Sequence, residues 1–287
     1  METLSKFTLY FVAVGPQRTG STWLHEVLEY HPSINLPSAI KETMYFDRYY
    51  HKGNSWLRSQ FENSSDSRLS GEVGPSYFGS KDALERIKLD HPNCKIIISI
   101  RNPIEHAYSM YLHEHSKGRI KGTLSEVIIK NPDRLRTGSY DKWIPLWQSA
   151  FGKDNICLVW MDQIRTDPKM THRSICEFLK VPTDHYPETL GVKKINTAKV
   201  TRFPRLTKFG MSVYQLLKEY RLHSIIKFCK RIRLDKITFG TGKIPKISAA
   251  DYQTLADLYS AEVDFLEQLS GRSLSKWREQ STDLSGN

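Results

Sequence analysis

The octapeptide Gly15-Pro16-Gln17-Arg18-Thr19-Gly20-Ser21-Thr22 brings two glycines, a cation and three hydroxyls together in a spacing suited to holding an anion. It follows the apolar run Phe7–Val14 and leads into a segment of helical periodicity. A glycine-rich turn between a strand and a helix start converges backbone N–H groups on one point, and the helix dipole favours negative charge there. Arg18 adds a fixed positive charge, and Thr19, Ser21 and Thr22 add hydroxyl donors. A purely structural glycine turn is the alternative for this motif taken alone. The glycine spacing matches an ATP-binding phosphate loop, but Ser21 stands where that loop carries its phosphate-clamping lysine.

A second cation narrows the chemistry. The apolar run Lys95–Ile100 ends in Arg101, followed by Asn102 and Pro103. Metal-dependent phosphoryl transfer needs an acid near such a strand end to hold magnesium. A cation there repels the metal and attracts another anionic group. The two motifs together describe a nucleotide site for a ligand with two anionic ends and no required metal. The donor 3′-phosphoadenosine 5′-phosphosulfate (PAPS) meets both demands. Its 5′-phosphosulfate would lie on Gln17, Arg18, Thr19, Gly20, Ser21 and Thr22, and its 3′-phosphate at Arg101. Ser109, eight residues past Arg101 and two turns into the next helix, offers a hydroxyl to the same phosphate.

The elements that must position these groups alternate in type. Strands are expected at Phe7–Val14, Leu69–Val73, Lys95–Ile100 and Ile156–Met161. Helices are expected at Ser21–Tyr30, Lys81–Leu89, from Pro103 to about Lys117, and at Tyr140–Phe151 and Pro168–Leu179. Proline is favoured at a first helical position, as at Pro103. "KIIISI" is a short continuous apolar run of the kind found in central parallel strands. Alternating strands and helices predict an α/β fold, a P-loop-like parallel sheet flanked by helices. After Val181 the character changes. Residues 182–205 read as an ordered loop or lid, Leu206–Arg233 as a basic amphipathic helix, and Ser248–Leu269 as a last helix. The expectation is one domain over 1–287, with a nucleotide-binding core at 1–181 and a cofactor-covering loop and helical extension at 182–287.

Four segments, "PQRTGSTWL", "KETMYFD", "GEVGPSYF" and "IRNPIEHAYSMY", occur in the order and approximate spacing of PAPS-dependent sulfotransferases. The chain resembles the heparan-sulfate type and its bacterial relatives, and the likeness extends to the last helix. The resemblance implies that the first segment binds the 5′-phosphosulfate and the last one the 3′-phosphate. It also implies that Glu42 is the general base, at the place where heparan-sulfate-type enzymes carry a catalytic glutamate. Lys41 becomes a positioning or charge-stabilising neighbour; a solvated Lys–Glu pair is the alternative. Arg18 stands where many relatives have a lysine that aids the leaving phosphate, and arginine also suits bidentate phosphate contact. Asp47 either orients the acceptor or forms a turn. Glu72 and Ser76 fall where relatives line the acceptor cleft, with a strand-ending turn as the alternative. Lys193, Lys194, Asn196 and Lys199 fall in the loop that covers the cofactor in the family, without a close match residue by residue. The histidine motif of the cytosolic steroid and phenol sulfotransferases is not found.

Composition sets outer bounds. In 287 residues, 39% hydrophobic and 11% aromatic content fits a globular chain. No apolar run reaches the roughly 20 residues that span a bilayer. The run before Gly15 is short enough for a signal segment, but no small-residue cleavage site follows it, so a strand is expected. Cys94, Cys157, Cys176 and Cys229 form no CxxC pair and are expected as free thiols in a reducing compartment. Asn63-Ser64-Ser65 matches a glycosylation sequon, which carries no meaning in a cytoplasmic protein. His113 and His115 are two apart on a helix and cannot face one metal; exposure suits them better, and packing suits His106. The formal charge of +11 points to an anionic partner, with a merely solubilising basic surface as the alternative, and does not choose among nucleic acid, membrane surface, acidic polysaccharide and anionic nucleotide. No nucleic-acid-binding motif is visible, so non-catalytic polyanion binding is the remote alternative. The expected acceptor is a carbohydrate or glycolipid, with a small hydroxylated metabolite or lipid as alternative. A cytoplasmic, bacterial enzyme is expected, with two readings of 206–233: one face packed on the sheet and the charges solvated, or an interfacial or polyanion-facing surface in peripheral membrane contact.

Overall fold

The computed structural model describes residues 7–38, 40–61, 67–135, 138–191, 200–201, 239–240 and 247–279. The chain divides into two compact units, Met1–Arg101 with Gly138–Ile195, and Asn102–Thr137 with Asn196–Asn287.

The first unit is built on five parallel strands. In chain order these are β1 (Phe11–Gly15), β2 (Ile34–Asn35), β3 (Leu69–Val73), β4 (Lys95–Ile100) and β5 (Ile156–Trp160). Their order across the sheet is β2-β3-β1-β4-β5. Phe11 is opposite Gly71 on one side and Lys95 on the other. The connection order reverses at β1 and β4, and ligands of open α/β sheets bind outside the carboxyl ends of strands at such a switch point. Gly15 is the last residue of β1, and Arg101 follows β4.

Both faces of the central strands are covered, which is why they read as unbroken apolar runs. Phe11, Ala13, Ile97 and Val159 pack in one cluster with Trp23, Leu24, Val27 and Leu28 of α1 (Ser21–Tyr30). The intervening Val12, Val14, Ile96 and Ile98 are fully buried as well. Three further helices of this unit match their expected starts: α3 (Lys81–Asp90), α6 (Tyr140–Phe151) and α8 (Pro168–Leu179). A short α2 (Gly53–Arg58) and a π-helical turn at Tyr45–Tyr49 were not anticipated. Met161 opens a short helix α7 (Met161–Thr166) rather than ending β5. Tyr10 still bonds the backbone of Ser70 and Lys95, but residues 7–9 lie outside the ladder. Leu9 gives its N–H to His91 Nδ1 at 3.2 Å and Phe7 to Asn54 Oδ1 at 3.0 Å, so side chains take the bonds a longer strand would have made.

The second unit packs helices on one another. In α4 (Pro103–Ser116), the side chain of Asn102 accepts from the Ile104 N–H at 2.9 Å and Pro103 occupies the first turn. Helix α5 (Leu124–Lys130) opens with a Thr123–Glu126 capping box. The expected last helix is two, α9 (Ala249–Leu258) and α10 (Ser260–Ser270), broken at Tyr259. Ile104, Ala107 and Tyr111 of α4 share a core with Leu124 and Val127 of α5 and Tyr252 and Leu255 of α9. A two-residue antiparallel pair joins β6 (Val200–Thr201) to β7 (Phe239–Gly240). The expected helix at Leu206–Arg233 and the sequon lie outside the described residues. Cys94, Cys157 and Cys176 are free thiols. Among the described residues no helix is long and apolar enough to cross a membrane.

Candidate active site

The loop after β1 is shaped by two glycines. Gly15 has φ +104°, and a Cβ on it would stand 2.6 Å from backbone atoms of Pro75. Only glycine lets β1 end this close to the turn after β3. Gly20, at φ +97° and ψ 9°, caps α1 without a side-chain bond, and the first turn holds no acid. First-turn N–H groups left without a capping side chain are what a bound anion satisfies. Arg18, itself at φ +68°, is half-buried, and burial lowers its pKa.

Thr19 behaves otherwise than expected. It is fully buried, its hydroxyl donates to the Pro16 carbonyl at 2.5 Å, and it lies 2.5 Å from Ser99 Oγ. With Thr19's proton on Pro16, Ser99 is the donor of the second bond. The hydroxyl thus ties the loop to β4 and is not offered to a ligand. Arg101 also belongs to the loop's frame. Its amide donates to Tyr140 Oη at 3.1 Å, and its guanidinium Nη1 donates to the Arg18 carbonyl at 3.1 Å.

Lys41 supplies the ammonium that the loop sequence lacks. Its Nζ donates to Thr22 Oγ1 at 2.9 Å, reaching the loop from the segment after β2. Burial lowers its pKa, while Glu42 and Glu26 act to raise it. Arg18 and Lys41 are therefore two partly desolvated cations beside one uncapped helix start, a donor set that suits an anion. Glu42, next in sequence, is half-buried. Beyond it the chain enters the Tyr45–Tyr49 turn from Met44 at φ +54°, and Arg86 Nη1 donates to the Phe46 carbonyl at 2.8 Å. Asp47 lies on this turn, and its buried Oδ1 has no hydrogen-bond partner among the described residues.

Glu72 fits neither of its two sequence readings, an acceptor-cleft position or a strand-ending turn: it is fully buried within β3, the strand between β1 and β2. Its Oε2 accepts the Thr43 hydroxyl at 2.6 Å. Burial pushes its pKa up to about 7, against the lowering effect of bonds from Thr43 and Tyr77, and the nearby Asp47 carboxylate adds to the rise. The strand position is legible in sequence, but the burial depends on what covers β3. His25 went unnoticed in the sequence. It is buried on α1, one turn past Thr22, and burial together with Lys41 holds its imidazole down to about 4. Its spacing from Thr22 was the available signal.

In the second unit, Ser109 and His106 are buried on α4. His115 is exposed against the Tyr111 ring, and His113 Nε2 lies 2.7 Å from Lys117 Nζ. Lys193, Lys194, Asn196 and Lys199 lie outside the described residues. Among the described residues no group of three or more His, Cys, Asp or Glu could hold a metal ion.

Residues 10–231 match the family model of the sulfotransferase domain. Over 197 residues the chain is 33% identical to the bifunctional heparan sulfate N-deacetylase/N-sulfotransferase 4 of Mus musculus, covering 61% of this chain and 22% of that protein. It is 26% identical over 197 residues to the heparan sulfate glucosamine 3-O-sulfotransferase 3A1 of Mus musculus, covering 66% of this chain and 47% of that protein. The chain thus spans less than half the length of these relatives. A solved sulfotransferase from Alicyclobacillus acidocaldarius shares the fold, with TM-score 0.67, 20% identity, and coverage of 94% of this chain and 99% of that one.

Proposed function

The chain belongs to the sulfotransferase domain family, and from that premise we propose that it moves a sulfuryl group from PAPS to a hydroxyl or amine of a carbohydrate or glycolipid. The observation that carries this is the Lys41–Thr22 bond, which brings Lys41, the neighbour of Glu42 in sequence, onto the rim of the anion loop. A base and a cation beside one anion site are what sulfuryl transfer needs, since a proton must leave the acceptor while charge grows on the departing phosphate. The heparan sulfate relatives support a carbohydrate acceptor.

When bound, the donor supplies an activated sulfuryl group on a phosphate leaving group. The amides of Gln17–Thr22 and the α1 N-terminus hold the 5′ end, with the hydroxyls of Ser21 and Thr22 as further donors. Arg18 and Lys41 neutralise the negative charge that accumulates there, and their partial burial strengthens each contact. Arg101 takes the 3′-phosphate through its guanidinium. Glu42 accepts the acceptor's proton.

The test is ligand-dependent thermal stability. The product 3′-phosphoadenosine 5′-phosphate (PAP) at about 100 times its Kd should stabilise the fold by about 2.7 kcal/mol, and ATP with magnesium at the same concentration by much less. Equal stabilisation by ATP overturns the donor. A screen with radiolabelled donor over desulfated glycans, glycolipids and small alcohols then tests the acceptor. Labelling of the small alcohols alone overturns the carbohydrate assignment.

A further inference from the structure

Glu72 has a job that its burial makes visible. Glu72, Thr43 and Tyr77 are all fully buried. The Thr43 hydroxyl gives its proton to Glu72 Oε2 at 2.6 Å and lies 3.3 Å from Tyr77 Oη. The Thr43 amide and the Tyr77 hydroxyl also act to lower the Glu72 pKa. Thr43 Oγ1 in turn accepts the Tyr45 N–H at 3.1 Å, so the start of the Tyr45–Tyr49 turn hangs from the same group. Thr43 follows Glu42 directly, so holding the Thr43 side chain between Glu72 and the Tyr45 N–H fixes the peptide from which the Glu42 side chain departs.

An apolar residue is the ordinary occupant of such a position on an inner strand, because an unpaired buried carboxyl is unfavourable. The titratable groups facing Glu72 are Asp47 from the turn, Tyr77 from the segment after β3, and Cys94 before β4. None is a cation. Glu72 Oε1, Asp47 Oδ1 and Ser76 Oγ are buried without hydrogen-bond partners among the described residues. Packing alone does not account for an acid here, whereas the Thr43 hydroxyl bonded to it, with the Tyr77 hydroxyl beside that group, does.

We propose that Glu72 is the positioning residue of Glu42: through the hydroxyl of Thr43 it sets the direction in which the Glu42 carboxylate meets the acceptor, an assignment that rests on Glu42 being the general base. Ionised, Glu72 accepts a charge-assisted bond from the Thr43 hydroxyl; protonated, it accepts a weaker one. Burial brings this change to about pH 7, so the hold on Thr43 tightens as pH rises through neutrality.

Single-turnover sulfation and calorimetric PAP binding on the full chain test the assignment with T43V, T43S, E72Q and E42Q. T43V keeps volume and loses the hydroxyl. It should lower turnover by ~10- to 100-fold, as small misplacements do, with PAP affinity within about twofold, and T43S should recover most of the loss. E72Q is near-isosteric with the protonated acid, which protects folding. It should flatten the rise of turnover through about pH 7. Wild-type turnover and pH profile in T43V and E72Q, with E42Q inactive, refute the positioning role and leave the base standing. Parallel loss of turnover and PAP affinity in T43V also refutes it, by marking the contact as loop support. Full turnover in E42Q removes the base itself, and the positioning role with it.

Discussion

The two segments that meet at Lys41 and Thr22 are held in different ways. The Gly15–Thr22 loop carries part of its frame in its own sequence, two positive-φ glycines and Thr19 bonding its own Pro16 carbonyl, and takes the rest from Ser99 and Arg101 at the neighbouring strand end. The Lys41–Asp47 segment takes its hold from side chains of other elements, a carboxyl buried on β3 and Arg86 on α3. The first arrangement fixes backbone N–H groups in space, which is what binding an anion requires. The second fixes the orientation of one side chain, which matters only when a proton moves. Damage to the first should therefore appear in donor affinity, and damage to the second in turnover.

The largest expected effect lies at the tip of the second segment. Glu42→Gln keeps shape but cannot take a proton. Turnover should fall by roughly 10²–10⁴, while PAP affinity stays within a few-fold, because the base acts in the transition state and hardly at all in donor binding. Calorimetry beside single-turnover sulfation on one preparation reads both quantities. Loss of both together would break the contrast, since Glu42 would then be supporting the donor loop.

Glu72 sharpens the contrast through stability. Its folded pKa, about 7, lies above the value near 4.5 of an unfolded glutamate. The folded state then binds more protons than the unfolded state between those limits, so this group's contribution falls as pH rises from about 4.5 to 7 and is constant above. The accumulated loss is about 3 kcal/mol. Glu72→Gln does not titrate, so its stability relative to wild type should grow by that amount across the same window. The depressed imidazoles of His25 and His172 also make stability pH-dependent, but equally in both proteins, and cancel in the difference. Urea unfolding at several pH values gives the curves. Parallel curves mean that Glu72 is not a buried acid poised near neutrality.

Local signals made the first segment legible and left the second half-read. Glycine spacing, an apolar run before it and helical periodicity after it all lie within a few residues of Gly15. The parallel strands were visible for the same reason: strands buried on both faces are unbroken apolar runs. β2 is two residues long, below any periodicity. The π-helical turn at Tyr45–Tyr49 depends on Thr43 and Arg86, one held by β3 and the other carried on α3, so no local pattern announces it. Lys41 and Glu42 were singled out only through the family likeness, and no spacing tied Lys41 to Thr22. Helix α5 was missed although Thr123 and Glu126 stood in capping-box register. The break at Tyr259 carries no proline or glycine in sequence.

Arg101 is the smallest expected effect and the sharpest probe of the first segment, because it has two duties there. Its Nη1 donates to the Arg18 carbonyl, so truncation loosens the loop for any ligand. The same guanidinium is the group assigned to the 3′-phosphate. Arg101→Ala should then weaken PAPS and adenosine 5′-phosphosulfate alike through the loop, and weaken PAPS by a further ~1.5–3 kcal/mol for the lost charged hydrogen bond. The informative number is the ratio of the two affinities, since the loop contribution divides out of it. Arg101→Lys should fall between, retaining charge but not the fork that serves a carbonyl and a phosphate together. Competition binding with both nucleotides on the three proteins measures the ratio. An unchanged ratio in Arg101→Ala would leave Arg101 as loop support only, and would move the 3′-phosphate contact to another residue.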